Sequence, residues 1–125
     1  MIVAIGIDLV EVDRIAEVFT RRGDRFRERV FTEREIDYCE KRASRFASYA
    51  ARFAAKEAMM KALGTGWTDG IGWRDVEIVG LSNGRPIVEL HGRALERMRE
   101  IGAAKSHISL THSGNFAIAQ AVLEG

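Results

Sequence analysis

The chain has 125 residues, of which 46% are hydrophobic and 30% charged, and its formal net charge is +1. That balance fits one folded domain over residues 1–125, too apolar for a disordered segment, and near-neutrality with no recognised DNA or RNA module argues against a nucleic-acid binder. One cysteine, Cys39, excludes an internal disulfide and a cysteine metal cage, no apolar run approaches the roughly 20 residues that span a bilayer, and Met1–Asp8 lacks the basic start of a signal peptide, so a cytoplasmic setting without membrane attachment is expected.

Ile2 to Leu9 is a β-rich run that carries an acid, Asp8, on the same face as Ala4 and Gly6, small residues that leave room for something to approach. Glu11 to Arg22 is predicted helical, with Val12, Ile15, Ala16 and Phe19 on one side. After the break at Gly23, a second helical piece covers Asp24 to Val30. Five arginines between Arg21 and Arg29 (Arg21, Arg22, Arg25, Arg27 and Arg29) face only Asp24 and Glu28. With Arg14 just before them they could receive an acidic partner, although a solvated helical surface is the plainer account of such a run. Thr32 followed by Glu35 reads as a capping box that opens a helix through about Arg42.

Arg45 to Leu63 reads as one long helix, rich in Ala and Met and ended by Gly64. Phe46, Ala50, Phe53 and Met60 form an apolar stripe, and Glu57 falls on it. A carboxylate left bare in apolar surroundings costs several kcal/mol, so Glu57 calls for a partner, a proton or a cation. Asp8 is the second embedded acid. Two hard oxygen ligands with room for waters and phosphate oxygens suit Mg²⁺, while a core acid satisfied by arginine or backbone donors is the competing account of Asp8. Lys61, four residues after Glu57, is placed either as its surface ion-pair partner or toward a phosphate. Arg45, Arg52 and Lys56 fall at i, i+7 and i+11, a basic row that either solubilises the helix or binds nucleotide phosphates beside a cation site.

Gly64 to Gly72 is a glycine-rich loop. Trp73 to Val79 is predicted as a strand, Ser82 to Pro86 as a turn, and Ile87 to Leu90 as the returning strand. A helix from Gly92 to Ile101 follows, then strands His107–Thr111 and Phe116–Leu123 about Ser113-Gly114-Asn115. His112 shares a strand face with Ile108 and Leu110. No hydrolase triad is credible, since a Gly-x-Ser-x-Gly elbow is absent. The irregular order of strands and helices argues for α+β with a largely antiparallel sheet packed on the long central helix, not a doubly wound parallel sheet.

Gly6-Ile7-Asp8-Leu9-Val10 with Arg14-Ile15, Phe31-Thr32 with Glu35, Arg52-Phe53-Ala54-Ala55-Lys56-Glu57-Ala58 with Lys61, Asn83-Gly84-Arg85-Pro86, and Ser109-Leu110-Thr111-His112 together resemble the bacterial holo-[acyl carrier protein] synthases, the small 4′-phosphopantetheinyl transferases. The motifs run from residue 6 to the final strand in the family's order.

The resemblance implies the family's fold and a reaction, transfer of the 4′-phosphopantetheine arm of coenzyme A to a serine of apo-acyl carrier protein, within fatty acid biosynthesis. It implies that Asp8 and Glu57 hold Mg²⁺ against the pyrophosphate, that Lys61 contacts the phosphates, and that Glu57 or a metal-bound water takes the serine proton. His112 is implied near the phosphates. Arg45, Arg52, Lys56 and the turn Asn83, Gly84, Arg85 and Pro86 are implied at the nucleotide end, and Arg14, Arg21, Arg22 and Arg25 as the dock for the acidic carrier. It further implies a homotrimer with sites between subunits. A Mg²⁺-dependent nucleotide phosphohydrolase and a non-catalytic carrier-binding module are the competing readings of the same residues.

Overall fold

The computed structural model describes residues 1–125 except for the side chain of Thr68. Its elements are β1 (Ile2–Glu11), α1 (Val12–Arg22), α2 (Asp24–Val30), α3 (Glu33–Glu40), α4 (Arg45–Leu63), β2 (Val76–Gly80), β3 (Pro86–Leu90), α5 (Gly92–Glu100), β4 (Lys105–Ser113) and β5 (Phe116–Glu124). Two antiparallel sheets result, a three-stranded one in the order β1-β5-β4 and the hairpin β2-β3. This is the α+β arrangement expected, with its antiparallel strands divided between two sheets.

α4 is the hub of the molecule. Its alanines make it thin enough to be covered on nearly every side, and Tyr49, Ala50, Ala54, Ala55, Ala58 and Met59 have no exposed surface. Gly64 ends it in the left-handed region at φ 79°, a conformation that glycine adopts without steric cost. β1 packs against α4 so closely that a Cβ on Gly6 would lie 1.9 Å from the Ala58 carbonyl oxygen. The strand therefore buries the Ala4–Gly6–Asp8 side and leaves Ile5, Ile7 and Leu9 exposed.

The capping box at Thr32 and Glu35 forms as the spacing demands. Its acid is also the start of a buried polar network. Glu35, with no exposed surface, accepts the backbone N–H of Thr32 and of Ile78, both at 2.8 Å, and pairs with the equally buried Lys56 at 2.9 Å. Thr32 donates its hydroxyl to Glu77, which also takes hydrogen bonds from Arg34 and contacts His91 at 3.0 Å. These contacts join α3, α4, β2 and the start of α5.

One element departs from expectation. Trp73–Asp75 is a 3₁₀ turn and the strand begins only at Val76, because the Asp75 carboxylate accepts the Gly72 N–H at 2.9 Å and curls the chain there.

Candidate functional site

Asp8 and Glu57 meet across the β1–α4 contact. The missing side chain at Gly6 lets the strand lie against the helix, and the alternation of β1 then turns Asp8 inward toward the C-terminal half of α4. Lys61 reaches back to the strand: its ammonium lies 3.0 Å from Asp8 Oδ1 and donates to the Ile7 carbonyl at 3.0 Å. Lys61 thus pairs with Asp8 and not with Glu57. Among the described residues Glu57 has no salt bridge. Burial, with the charge of Asp8 added to it, pushes the Glu57 carboxyl above its ordinary value.

The apolar stripe expected on α4 is core in part, with Phe53 packed against the buried cluster around Tyr49. Ala50 and Met60 are buried, but Phe46, Phe53 and Glu57 lie half-buried along the helix's most open seam. Glu57 faces a cleft of about 630 Å³ lined also by Asp8, Arg14, Arg21, Phe26 and Phe53. Its lining carries four acids, Asp8, Glu11, Glu17 and Glu57, against two arginines, Arg14 and Arg21; the arginines, Glu11 and Glu17 are exposed, and Asp8 and Glu57 lie deeper. Two carboxylates from facing elements, one of them with no cation of its own, are a donor set that fits a hard divalent ion.

A second groove, of about 910 Å³, runs between α4, the β2–β3 hairpin and β4. Arg52, Gly84, Pro86 and His112 line it, together with Tyr38 and Ser48. Arg52 is 5% exposed, its guanidinium lies 3.8 Å from the centre of the Tyr38 ring, and its buried Nε has no hydrogen-bond partner among the described residues. A guanidinium held there with a donor to spare suits an anionic ligand. Among the described residues, none lines both the groove and the cleft.

The basic row expected along α4 is not a row. Lys56 is turned wholly inside, paired with Glu35 and donating to the carbonyls of Trp73 and Val76, so the expectation that it touches a cofactor is corrected. At 100° per residue, i+11 from Arg45 returns close to the same azimuth, but the tertiary fold covers that azimuth at Lys56 and opens it at Arg45. Arg45 pairs with Glu40 at 3.2 Å and lies against Phe46, outside the groove lining. In the turn, Asn83 accepts the Arg85 N–H at 2.9 Å, and neither side chain lines the groove.

Of the arginines on α1 and α2, Arg14 and Arg21 line the acid cleft, while Arg22 and Arg25 are exposed beyond it. Arg27 is drawn out of that cluster by Asp24 at 3.0 Å and Glu40 at 3.5 Å. Phe26, Tyr38, Arg34 and Arg42 also line these cavities, and no spacing in the sequence marks them. A further set of donors, Glu77, Glu89 and His91, brings its ligand atoms within 4.8 Å of one another, but Arg34 is paired with both carboxylates and makes this an ion-pair network.

Residues 4–121 match the family model described as the 4′-phosphopantetheinyl transferase superfamily. The chain is 47% identical over 124 residues to the holo-[acyl-carrier-protein] synthase of Solibacter usitatus, covering 99% of each sequence. It is 48% identical to that of Methylobacterium radiotolerans, over 99% of this chain and 94% of the relative. Among solved structures, the synthase of Neisseria meningitidis superposes with a TM-score of 0.89 at 31% identity over the full length of both chains. The Helicobacter pylori synthase in complex with coenzyme A superposes with a TM-score of 0.84 at 32% identity, covering 96% of this chain and 99% of that one.

Proposed function

The chain belongs to the 4′-phosphopantetheinyl transferase superfamily, among the holo-[acyl-carrier-protein] synthases, and we propose that it works through Asp8, Glu57 and Lys61 with the Arg52–His112 groove as its nucleotide site. The enzyme transfers 4′-phosphopantetheine from coenzyme A to a serine hydroxyl of an acyl carrier protein. The P–O bond to adenosine 3′,5′-bisphosphate breaks as the serine oxygen bonds to the phosphorus that carries the pantetheine.

Asp8 and Glu57 are the residues that would hold Mg²⁺, and the observation that carries this reading is the charge deficit at their cleft, where Lys61 forms its salt bridge with Asp8, Glu57 has none among the described residues, and burial with Asp8 pushes the Glu57 carboxyl upward. When bound, the ion would neutralise the pyrophosphate and the charge that develops on the leaving oxygen. Lys61, more than half exposed beside Asp8, is free to swing its ammonium to the same phosphates. Glu57, one of the two embedded carboxylates of the cleft, is its own group suited to accept the serine proton. Arg52 and His112 meet the nucleotide's phosphate, with the backbone of the Asn83–Pro86 turn closing that end.

Cleft and groove belong together only across subunits in this reading. Ile5, Ile7 and Leu9 of β1 and Phe116 and Ile118 of β5 are 37–61% exposed. A second copy seated there would cover apolar surface that a monomer leaves in water and set its own groove beside this cleft. A homotrimer closed by this contact supports one site per interface. Arg14 and Arg21, on the cleft rim, then receive the acidic face of the carrier, with Arg22 and Arg25 extending the basic surface. Among the described residues no helix is long and apolar enough to cross a membrane, and we place the protein, one transferase domain over residues 1–125, in the cytoplasm.

Incubation with coenzyme A, Mg²⁺ and apo-acyl carrier protein, followed by mass spectrometry of the carrier, tests the reaction. A gain of one phosphopantetheine, about 340 Da from its formula, that requires Mg²⁺ is the expected result. Nucleotide release without carrier would point to a phosphohydrolase, and carrier binding without turnover to a docking module.

A further inference from the structure

We propose that Lys56 is a positioning residue for the transfer: at the centre of the buried polar network, it sets the rotation of α4 about its axis and thereby holds the Glu57 carboxylate opposite Asp8. The inference rests on the assignment of Asp8 and Glu57 given above, and goes beyond it to a side chain that touches neither cleft nor groove.

Three observations carry it. Lys56 has no exposed surface, and its ammonium is consumed by three acceptors: Glu35 at 2.9 Å, the Trp73 carbonyl at 3.1 Å and the Val76 carbonyl. Those acceptors lie on α3, on the turn before β2 and on β2 itself, so the side chain is held by separate parts of the fold at once. Glu35 is anchored in turn by the N–H groups of Thr32 and Ile78, which leaves the lysine's main partner no freedom to follow a moving helix.

The third observation is the residue on the other side of Glu57. Ala58 presents its carbonyl oxygen where Gly6 lacks a side chain, 1.9 Å from the place a Cβ would take. Glu57 therefore stands between two residues that are each locked to a different element, one by charge and one by contact. Side chains end about 5–6 Å from a helix axis, so a rotation of roughly 10° carries the carboxylate about 1 Å. A displacement of that size at a reacting centre costs on the order of 10²-fold in rate. An apolar residue of similar length would fill the same space, and buried ion pairs are often replaceable in this way without loss of stability. The lysine's directional hold on three acceptors is what such a residue lacks.

The double variant Glu35→Gln with Lys56→Met separates positioning from stability. The introduced glutamine has a single amide oxygen and so keeps one of the two backbone N–H bonds that Glu35 accepts, and the introduced methionine keeps the volume. The expected result is a folded protein with a lowered melting temperature, kcat per folded molecule lower by roughly 30- to 100-fold and KM for the carrier within twofold. Binding of Mn²⁺ in the presence of coenzyme A, followed by the fluorescence of the two tryptophans, should weaken several-fold. A folded double variant with kcat within threefold of the wild type and unchanged Mn²⁺ binding overturns the proposal. Should the double variant fail to fold, Glu35→Gln alone serves: a folded protein with kcat five- to tenfold lower and an unchanged carrier KM supports it, and full kcat overturns it. Wild type and Glu57→Gln are run alongside. Activity retained by Glu57→Gln would defeat the site assignment itself, whereas an inactive Glu57→Gln beside a fully active Lys56 variant defeats only the positioning role of Lys56.

Discussion

Glu57 and Glu77 are both acids set among apolar side chains, one on α4 and one on β2, and their surroundings drive them in opposite directions. Glu77, 5% exposed, is opposed by burial, yet hydrogen bonds from Arg34, Thr32 and His91 outweigh that and hold its carboxyl down at about 2. Glu57 is more open to water, but burial and the neighbouring Asp8 push its carboxyl up and outweigh the charge of Lys61, which pairs with Asp8. An acid supplied with donors on every side is part of the frame. An acid left short of positive charge beside a cleft is available for chemistry.

The largest expected effect comes from removing the deficient acid. Glu57→Gln should lower kcat by on the order of 10³-fold, the scale of losing a charged group that acts at the reacting phosphate. It should also melt no lower than the wild type in metal-free buffer. The sign follows from the raised carboxyl: the fold disfavours the charged form, so this group's contribution to stability is lost as pH rises through its range, and an uncharged amide escapes that loss. Wild-type activity in the variant, measured by carrier mass, would remove Glu57 from the site.

Removing the satisfied acid should do the reverse. Glu77→Gln is expected to lose roughly 2–3 kcal/mol of stability at neutral pH by urea titration, while kcat per folded molecule stays within threefold. In the wild type, the stability supplied by Glu77 is fully present above the ordinary carboxyl value of 4.5 and is lost as pH falls toward about 2. A variant as stable as the wild type across pH 3 to 7 would erase the contrast between the two acids.

The smallest effect belongs to the rim of the cleft. Arg14→Glu should raise KM for the carrier about tenfold, with KM for coenzyme A within twofold, because an exposed arginine steers an acidic partner more than it binds a small donor. Equal changes in both constants would place Arg14 at the donor and not at the dock.

Much of the fold is legible in the residues alone. The capping box at Thr32, the limits of α4 at Arg45 and Gly64, and the closing hairpin depend on neighbours within a few residues, and local chemistry settles them. Asp8 and Glu57 stand out because a charge within an apolar run is anomalous in any fold. Lys56 is misread for the complementary reason. A lysine beside an exposed-looking arginine row gives no sign that its ammonium turns inward to Glu35, a partner 21 positions away in the chain.

Periodicity, capping and turn residues act over a single turn or strand, which is why the secondary elements, the α+β class and the presence of two acids that needed explanation follow from the chain's own order of residues. Which charges are satisfied is settled by packing instead. Whether Lys61 pairs with Asp8 or Glu57, whether Arg52 opens on a groove and whether Lys56 is buried all depend on how β1, β2 and α3 pack against α4, and on donors that come together from distant parts of the chain.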